Sequence, residues 1–295
     1  MSSLFLKGCG TALVTPFFAD GSVDYEGYAA MVDRQVASGV DFLVPLATTG
    51  ETPTLSGDEK TEILKLVKAH AGGRPIVIGV GSNSVPGTLA NIEQLAPLRP
   101  DALLVVVPFY NKPTQEGQYG YFKAIAESTN LPIIIYNVPG RTGANMLPAT
   151  VLRLAREVPG IVGIKEASGK YDQVSEILAG APKGFSVLSG DDDMTLAFMA
   201  TGAHGVISVA SNIAPAEVSR MTHAMLRGHL DEARDLHHRL FPLFKACFVE
   251  SNPVPAKAAL SILNIIGATV RLPLSDASDS TFDLMRKVLD DLWKK

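Results

Sequence analysis

Short apolar, β-branched runs recur along this chain, at Gly10–Val14, Phe42–Leu46, Pro75–Val80, Ala102–Val107, Pro132–Tyr136, Ile161–Lys165, Phe185–Leu188 and Gly205–Val209. No other feature restricts the fold so tightly. Between the runs lie stretches such as Asp24–Ala37, Asp58–Ala71, Gln115–Ser128, Pro148–Arg156 and Met194–Thr201. Their apolar residues recur at helical steps, as at Ile63, Leu64 and Val67. Ser56 followed by Glu59 predicts a capping box before the second of them. Strands joined through helices run parallel, so the chain reads as an α/β protein. An open, doubly wound sheet and a closed (β/α)8 TIM barrel both satisfy the pattern. The count of units and their regular spacing favour the barrel.

Size and composition agree. A barrel takes about 250 residues, so the 295 present allow one barrel and an appendage. Hydrophobic residues make up 46% and mean hydropathy is +0.19, as expected for a sheet buried on both faces. Past the last run only helix signals remain. Leu230, Ala233, Leu236, Leu240, Leu243, Phe244 and Cys247 form one apolar stripe. Pro255 can open the next helix and Gly267 can close it. Ser278 or Asp279 can cap the last. The expected organisation is a catalytic barrel over 1–225 and a C-terminal α-helical domain over 226–295.

Several function classes drop out. A net charge of −4 gives no basic footprint for nucleic acid or an anionic membrane. Cys9 and Cys247 form no ligand spacing and suit a reduced, cytoplasmic setting. The opening MSSLFLKGCG is too short an apolar stretch for a signal peptide. No segment approaches the roughly 18 apolar residues of a membrane span.

Active sites of such barrels lie at the C-terminal ends of the strands. The sixth run ends in Lys165, where an amine is costly unless it is used. At an ordinary lysine pKa only roughly one molecule in 2,500 carries the neutral amine at pH 7. Burial can bring that form into play. Lys165 is therefore either a carbonyl-trapping nucleophile or a structural lysine paired with a carboxylate. The two-residue period puts Gly163 and Lys165 on one face and Val162, Ile164 and Glu166 on the other. Gly163 would leave space for the lysine stem, and Glu166 would point away from it. Tyr136, ending the fifth run, offers a proton shuttle. Thr48 and Thr49, after the second run, can relay hydrogen bonds. Arg141 offers a planar fork for a carboxylate. Taken singly, each has a plainer reading: a core-edge tyrosine, helix-capping threonines, a solvated arginine. Their convergence at one rim raises the functional reading.

The ordered set GTALVTPF, ATTGETPTL, PFYNKPTQEG, YNVPGRTG, GIKEASG, LSGDD, GVISV and FVESNPVPAK runs almost the whole chain. It closely resembles the dihydrodipicolinate synthase/N-acetylneuraminate lyase family of class I, pyruvate-dependent aldolases. The resemblance implies a (β/α)8 barrel with a C-terminal helical domain. Arg141 in YNVPGRTG and the Thr48-Thr49 pair look like the synthase branch. That branch implies condensation of pyruvate with L-aspartate 4-semialdehyde to 4-hydroxy-tetrahydrodipicolinate, toward diaminopimelate and lysine. The alternative is a lyase of the same family acting on N-acetylneuraminate or a 2-oxo-3-deoxy sugar acid. A non-catalytic pyruvate- or effector-binding regulator would be expected to lack Lys165 or Tyr136.

By the same resemblance, Lys165 forms the Schiff base with pyruvate and Tyr136 is the general acid/base. Thr48 links Tyr136 to Tyr110, which reaches in from a neighbouring subunit. Thr49 and the Ile207 backbone hold the pyruvate carboxylate, Arg141 meets the aldehyde's carboxylate, and Gly190 keeps room near the site. No metal or cofactor is expected beyond the covalent imine, and the implied assembly is a homotetramer, a dimer of dimers. The chain departs from the family's pattern at Ala47, where glycine is commoner. It departs more at the feedback pocket, with Gly57, Lys60, Gly87 and Phe109 but a retained Asn83. Weak or absent inhibition by lysine is the expectation.

Three weaker signals carry little. Gly79-Val80-Gly81 lacks the dinucleotide spacing and reads as a tight strand–helix turn. Asp191-Asp192-Asp193 reads as an acid-rich helix start rather than a metal site. The six histidines are scattered, with His237-His238 on a helix outside the barrel.

Overall fold

The computed structural model describes residues 4–294. Its elements alternate as β1 (Gly8–Ala12), α1 (Tyr25–Ala37), β2 (Phe42–Val44), α2 (Gly57–His70), β3 (Val77–Gly79), α3 (Val85–Leu95), β4 (Ala102–Val106), α4 (Gln115–Glu127) and β5 (Ile133–Asn137). There follow α5 (Pro139–Thr142), α6 (Pro148–Glu157), β6 (Ile161–Glu166), α7 (Tyr171–Gly180), β7 (Ser186–Ser189), α8 (Thr195–Ala200), β8 (Gly205–Ser208) and α9 (Pro215–Leu226). The chain ends in α10 (Leu230–Ala246), α11 (Val254–Ile262) and α12 (Asp279–Trp293). None of the described helices is long and apolar enough to cross a membrane.

The strands are all parallel, in the order β2-β1-β8-β7-β6-β5-β4-β3. What separates a barrel from an open sheet is the seam between β2 and β3. A parallel bridge pairs Leu43 with Ile76 there. Leu43 N donates to Pro75 O at 2.9 Å and Gly79 N to Pro45 O at 3.2 Å. The sheet therefore closes. Gly79 is needed at that seam, because a Cβ would overlap the Leu46 carbonyl.

Closure divides the apolar residues into two cores. Phe42, Val44, Val77, Leu104, Ile134, Leu188 and Ile207 fill the lumen. Leu43, Ile78, Leu103, Val105, Ile133, Ile135 and Val206 lie outside it with the helices. Strand alternation produces this split, since successive side chains point to opposite faces.

The helix starts follow local chemistry. Ser56 and Glu59 form the expected reciprocal capping box on α2, at 3.1 and 2.8 Å. Asp24 caps α1 by accepting from Gly27 N, and Ser278 caps α12 by accepting from Thr281 N.

Three local expectations are corrected. The helix opened by Pro255 stops at Ile262, and the chain turns through Asn264 at φ 56°, not at Gly267. Leu230 is exposed, so the buried stripe of α10 begins at Ala233. Strict alternation fails in β6: Ile133 pairs with Ile161 and Ile134 with Gly163, so Val162 is bulged out of register. Val162 then lies against the lumen core, while Ile164 stays in the outer one.

Candidate active site

The register fixes where Lys165 points. It pairs with Tyr136 on β5 and Leu188 on β7. Cα partners in parallel strands direct side chains to the same face. Tyr136 and Leu188 belong to the lumen core, so Lys165 enters the lumen at the C-terminal end of β6. It is 4% exposed, and its Nζ lies 4.2 Å from the centre of the Tyr136 ring. That is a cation–π distance. Among the described residues no carboxylate lies within ion-pair distance of this amine.

Glu166 faces outward and has other work. Its buried carboxylate accepts from Asn137 Nδ2 at 3.0 Å, Gln173 Nε2 at 2.9 Å and Ser168 N at 2.8 Å. Burial pushes this carboxyl above its ordinary pKa, opposed by those bonds. Asn137 also accepts from Met146 N at 3.0 Å, so the network pins the base of the loop that carries Arg141. The space at Gly163 serves β7 instead of the lysine stem: a Cβ there would stand 2.7 Å from Ser186 O.

Two aspartates lie near the lysine. Burial pushes Asp191 up to about 6, with the Lys165 charge pulling the other way. Asp192 is buried, and its Oδ2 accepts from Val209 N and Ala210 N, both at 3.0 Å. The acid-rich run thus does more than start a helix. Asp192 secures the exit of β8, and Asp193 pairs with Lys245 at 3.2 Å. Among the described residues no three His, Cys, Asp or Glu side chains are grouped to hold a metal.

Thr48 and Thr49 open a 3-10 turn, Thr48–Gly50, in the loop that follows β2. Ser56 does the capping of α2, so neither threonine is spent on it. Thr49 is buried, and its Oγ1 accepts from Asn252 Nδ2 at 2.9 Å. Arg141 sits exposed on the short α5. The turn beneath it is tied by Thr142 Oγ1, which donates to Ala144 O at 2.8 Å. Ile207 is buried in the lumen on β8. Gly190 is required by its neighbour: a Cβ would come 2.5 Å from Ala167 Cβ, and its N–H donates to Glu166 O at 2.7 Å.

The lumen therefore brings Lys165, Tyr136 and Ile207 together. Tyr110 stands apart. Its backbone is left-handed at φ 73° and the residue is 87% exposed.

Sequence reasoning passed over Asn252, Glu51 and Lys257. The signal for Lys257 was a lysine inside the apolar run VPAKAAL, the same signal that singled out Lys165.

Comparison with known proteins agrees with this geometry. Residues 5–292 match the model of the "Dihydrodipicolinate synthetase family". A relative from Phocaeicola vulgatus, named 4-hydroxy-tetrahydrodipicolinate synthase, is 47% identical, with 97% of each chain covered. One of the same name from Parabacteroides distasonis is 47% identical over 99% of each chain. The crystal structure of dihydrodipicolinate synthase from Thermotoga maritima superposes with a TM-score of 0.96. It is 43% identical and covers 98% of this chain and 99% of its own. A closed barrel with a lumenal lysine at the end of β6, matched along nearly its whole length, makes this chain a member of the dihydrodipicolinate synthetase family.

Proposed function

We propose that this chain condenses pyruvate with L-aspartate 4-semialdehyde to give 4-hydroxy-tetrahydrodipicolinate. The observation that carries the reading is a buried lumenal lysine with a tyrosine ring beside it and, among the described residues, no carboxylate within ion-pair distance. The Lys165 amine attacks the ketone carbon of pyruvate, and loss of water leaves a protonated imine. That imine draws electrons from the neighbouring methyl carbon, which gives up a proton. Tyr136 is positioned to move this proton. The enamine carbon then attacks the aldehyde carbon of the second substrate, and the aldehyde oxygen takes up a proton. Arg141, exposed above β5, receives that substrate's carboxylate as a fork. The semialdehyde's own amine finally displaces Lys165 from the imine carbon, closing the ring and freeing the enzyme.

Arg141 and the Thr48-Thr49 pair favour this substrate over a sugar-derived 2-oxo acid. No cofactor or metal enters the scheme, because the imine itself is the electron sink. The family resemblance supports a relay through Thr48 to Tyr136 from Tyr110 of a neighbouring subunit, and with it a homotetramer built as a dimer of dimers, working in the cytoplasm; the exposure of Tyr110 leaves it free for that role. Lysine is a weak inhibitor at most in this reading. Lys60 adds a cation where a cationic effector would sit, and a Cβ at Gly87 would stand 2.7 Å from Ser82 Oγ. Half-inhibition by sub-millimolar lysine would sink that point.

The test is borohydride reduction in the presence of pyruvate with peptide mapping, followed by a coupled assay. The adduct is expected on Lys165, and turnover with aspartate semialdehyde but not with N-acetylneuraminate. Arg141→Ala should lose most activity with the semialdehyde while trapping pyruvate normally. An absent Lys165 adduct would remove every imine reading.

A further inference from the structure

The C-terminal segment reaches back to the barrel mouth at the turn carrying Thr48 and Thr49. Asn252, just ahead of α11, is buried, and its Nδ2 donates to Thr49 Oγ1. Its other polar atom, Oδ1, is buried without a hydrogen-bond partner among the described residues. A buried acceptor left open is costly, so the amide is not there for stability alone. Glu51, two residues past Thr49, holds a left-handed backbone at φ 52°. Its carboxylate accepts from Lys257 Nζ and, at 2.9 Å, from Arg271 N. Lys257 also donates to Thr269 O at 2.8 Å, and the Lys257 and Glu51 side chains are both buried. The turn is thus latched twice to the same distant segment.

The direction of the Asn252 bond has a chemical consequence. A threonine hydroxyl carries one proton and two lone pairs. When its oxygen already accepts from an amide N–H, its proton is left to donate elsewhere. An ionised carboxylate can only accept. We propose that Asn252, held beside Thr49 by the Lys257–Glu51 latch, is a positioning residue that presets the Thr49 hydroxyl as a donor to the substrate carboxylate, selecting 2-oxo acids over neutral carbonyl compounds. The inference rests on the pyruvate reading above. A preset donor needs no reorientation when the substrate arrives, which is where its advantage lies.

The test uses the full chain and measures the concentration of carbonyl compound that half-saturates borohydride trapping on Lys165. Pyruvate and its neutral analogue pyruvamide are the probes, in wild type, Asn252→Ala and the isosteric Asn252→Asp. The expected half-saturating pyruvate concentration rises about tenfold in Asn252→Ala and about a hundredfold in Asn252→Asp, where an acceptor carboxylate reverses the bond and repels the substrate. Pyruvamide trapping should change by less than about threefold, so the preference for the acid collapses. A merely structural role would weaken both probes together, and that result overturns the proposal. Wild-type preference retained in either folded variant also overturns it. If wild type traps no pyruvate on Lys165, the pyruvate reading itself falls and this inference with it.

Discussion

Two lysines among the described residues are buried, and their surroundings set them apart. Lys257 is ion-paired to Glu51, bonded to Thr269 O and placed 4.1 Å from the Phe17 ring centre. Burial lowers its pKa to about 8, and Glu51 opposes that shift. Lys165 has the Tyr136 ring and, among the described residues, no carboxylate within ion-pair distance. Removing one partner of a buried pair leaves a bare charge, so Lys257→Met should cost about 3–5 kcal/mol of stability. Lys165→Met should cost less than about 1 kcal/mol, because it deletes a desolvated amine, yet abolish trapping. Urea unfolding of the two variants checks the contrast, and equal losses would contradict it. Asp191 supplies a pH test. Its folded pKa is raised to about 6, so its contribution to stability is present below its ordinary 3.8 and lost as pH rises through about 6. On the proposed mechanism the imine on Lys165 is positively charged, and ionised Asp191 favours it. Trapping should rise as pH climbs through about 6, and Asp191→Asn should flatten that limb in a pH–rate profile.

At the scale of elements, strands were legible because burial on both faces leaves a short apolar run. The capping box on α2 was legible because it is purely local. The bulge at Val162 was not, because it depends on how β5 and β6 pair rather than on either strand. The outward role of Glu166 was legible from parity, since the bulge falls before Gly163 and leaves the alternation of Lys165 and Glu166 intact. Gly79 is where element geometry is most exposed to a test. Gly79→Ala drives a methyl into the Leu46 carbonyl at the closing seam. A loss of about 3 kcal/mol or more is expected in thermal or denaturant unfolding. A variant as stable as wild type would mean that the seam gives way easily.

At the scale of the whole molecule, the site within one chain is incomplete on the proposed mechanism. On that mechanism Tyr110, 87% exposed in the single chain, serves the Tyr136 of a second copy. Sedimentation combined with activity measurements should find the active species to be at least a dimer. A fully active monomer would remove Tyr110 from the mechanism.

The sequence by itself determined the parallel α/β class, the number of strands and the position of the candidate nucleophile. These follow from periodicity and burial within a few residues. Only the tertiary structure decided that the sheet closes, because closure is one seam between β2 and β3 rather than a property of any run. It also decided which buried lysine has a carboxylate and which does not. Thr49 and Asn252 are 203 residues apart, and no local pattern relates them. They meet because the barrel carries the end of β2 to the place where the C-terminal helices return.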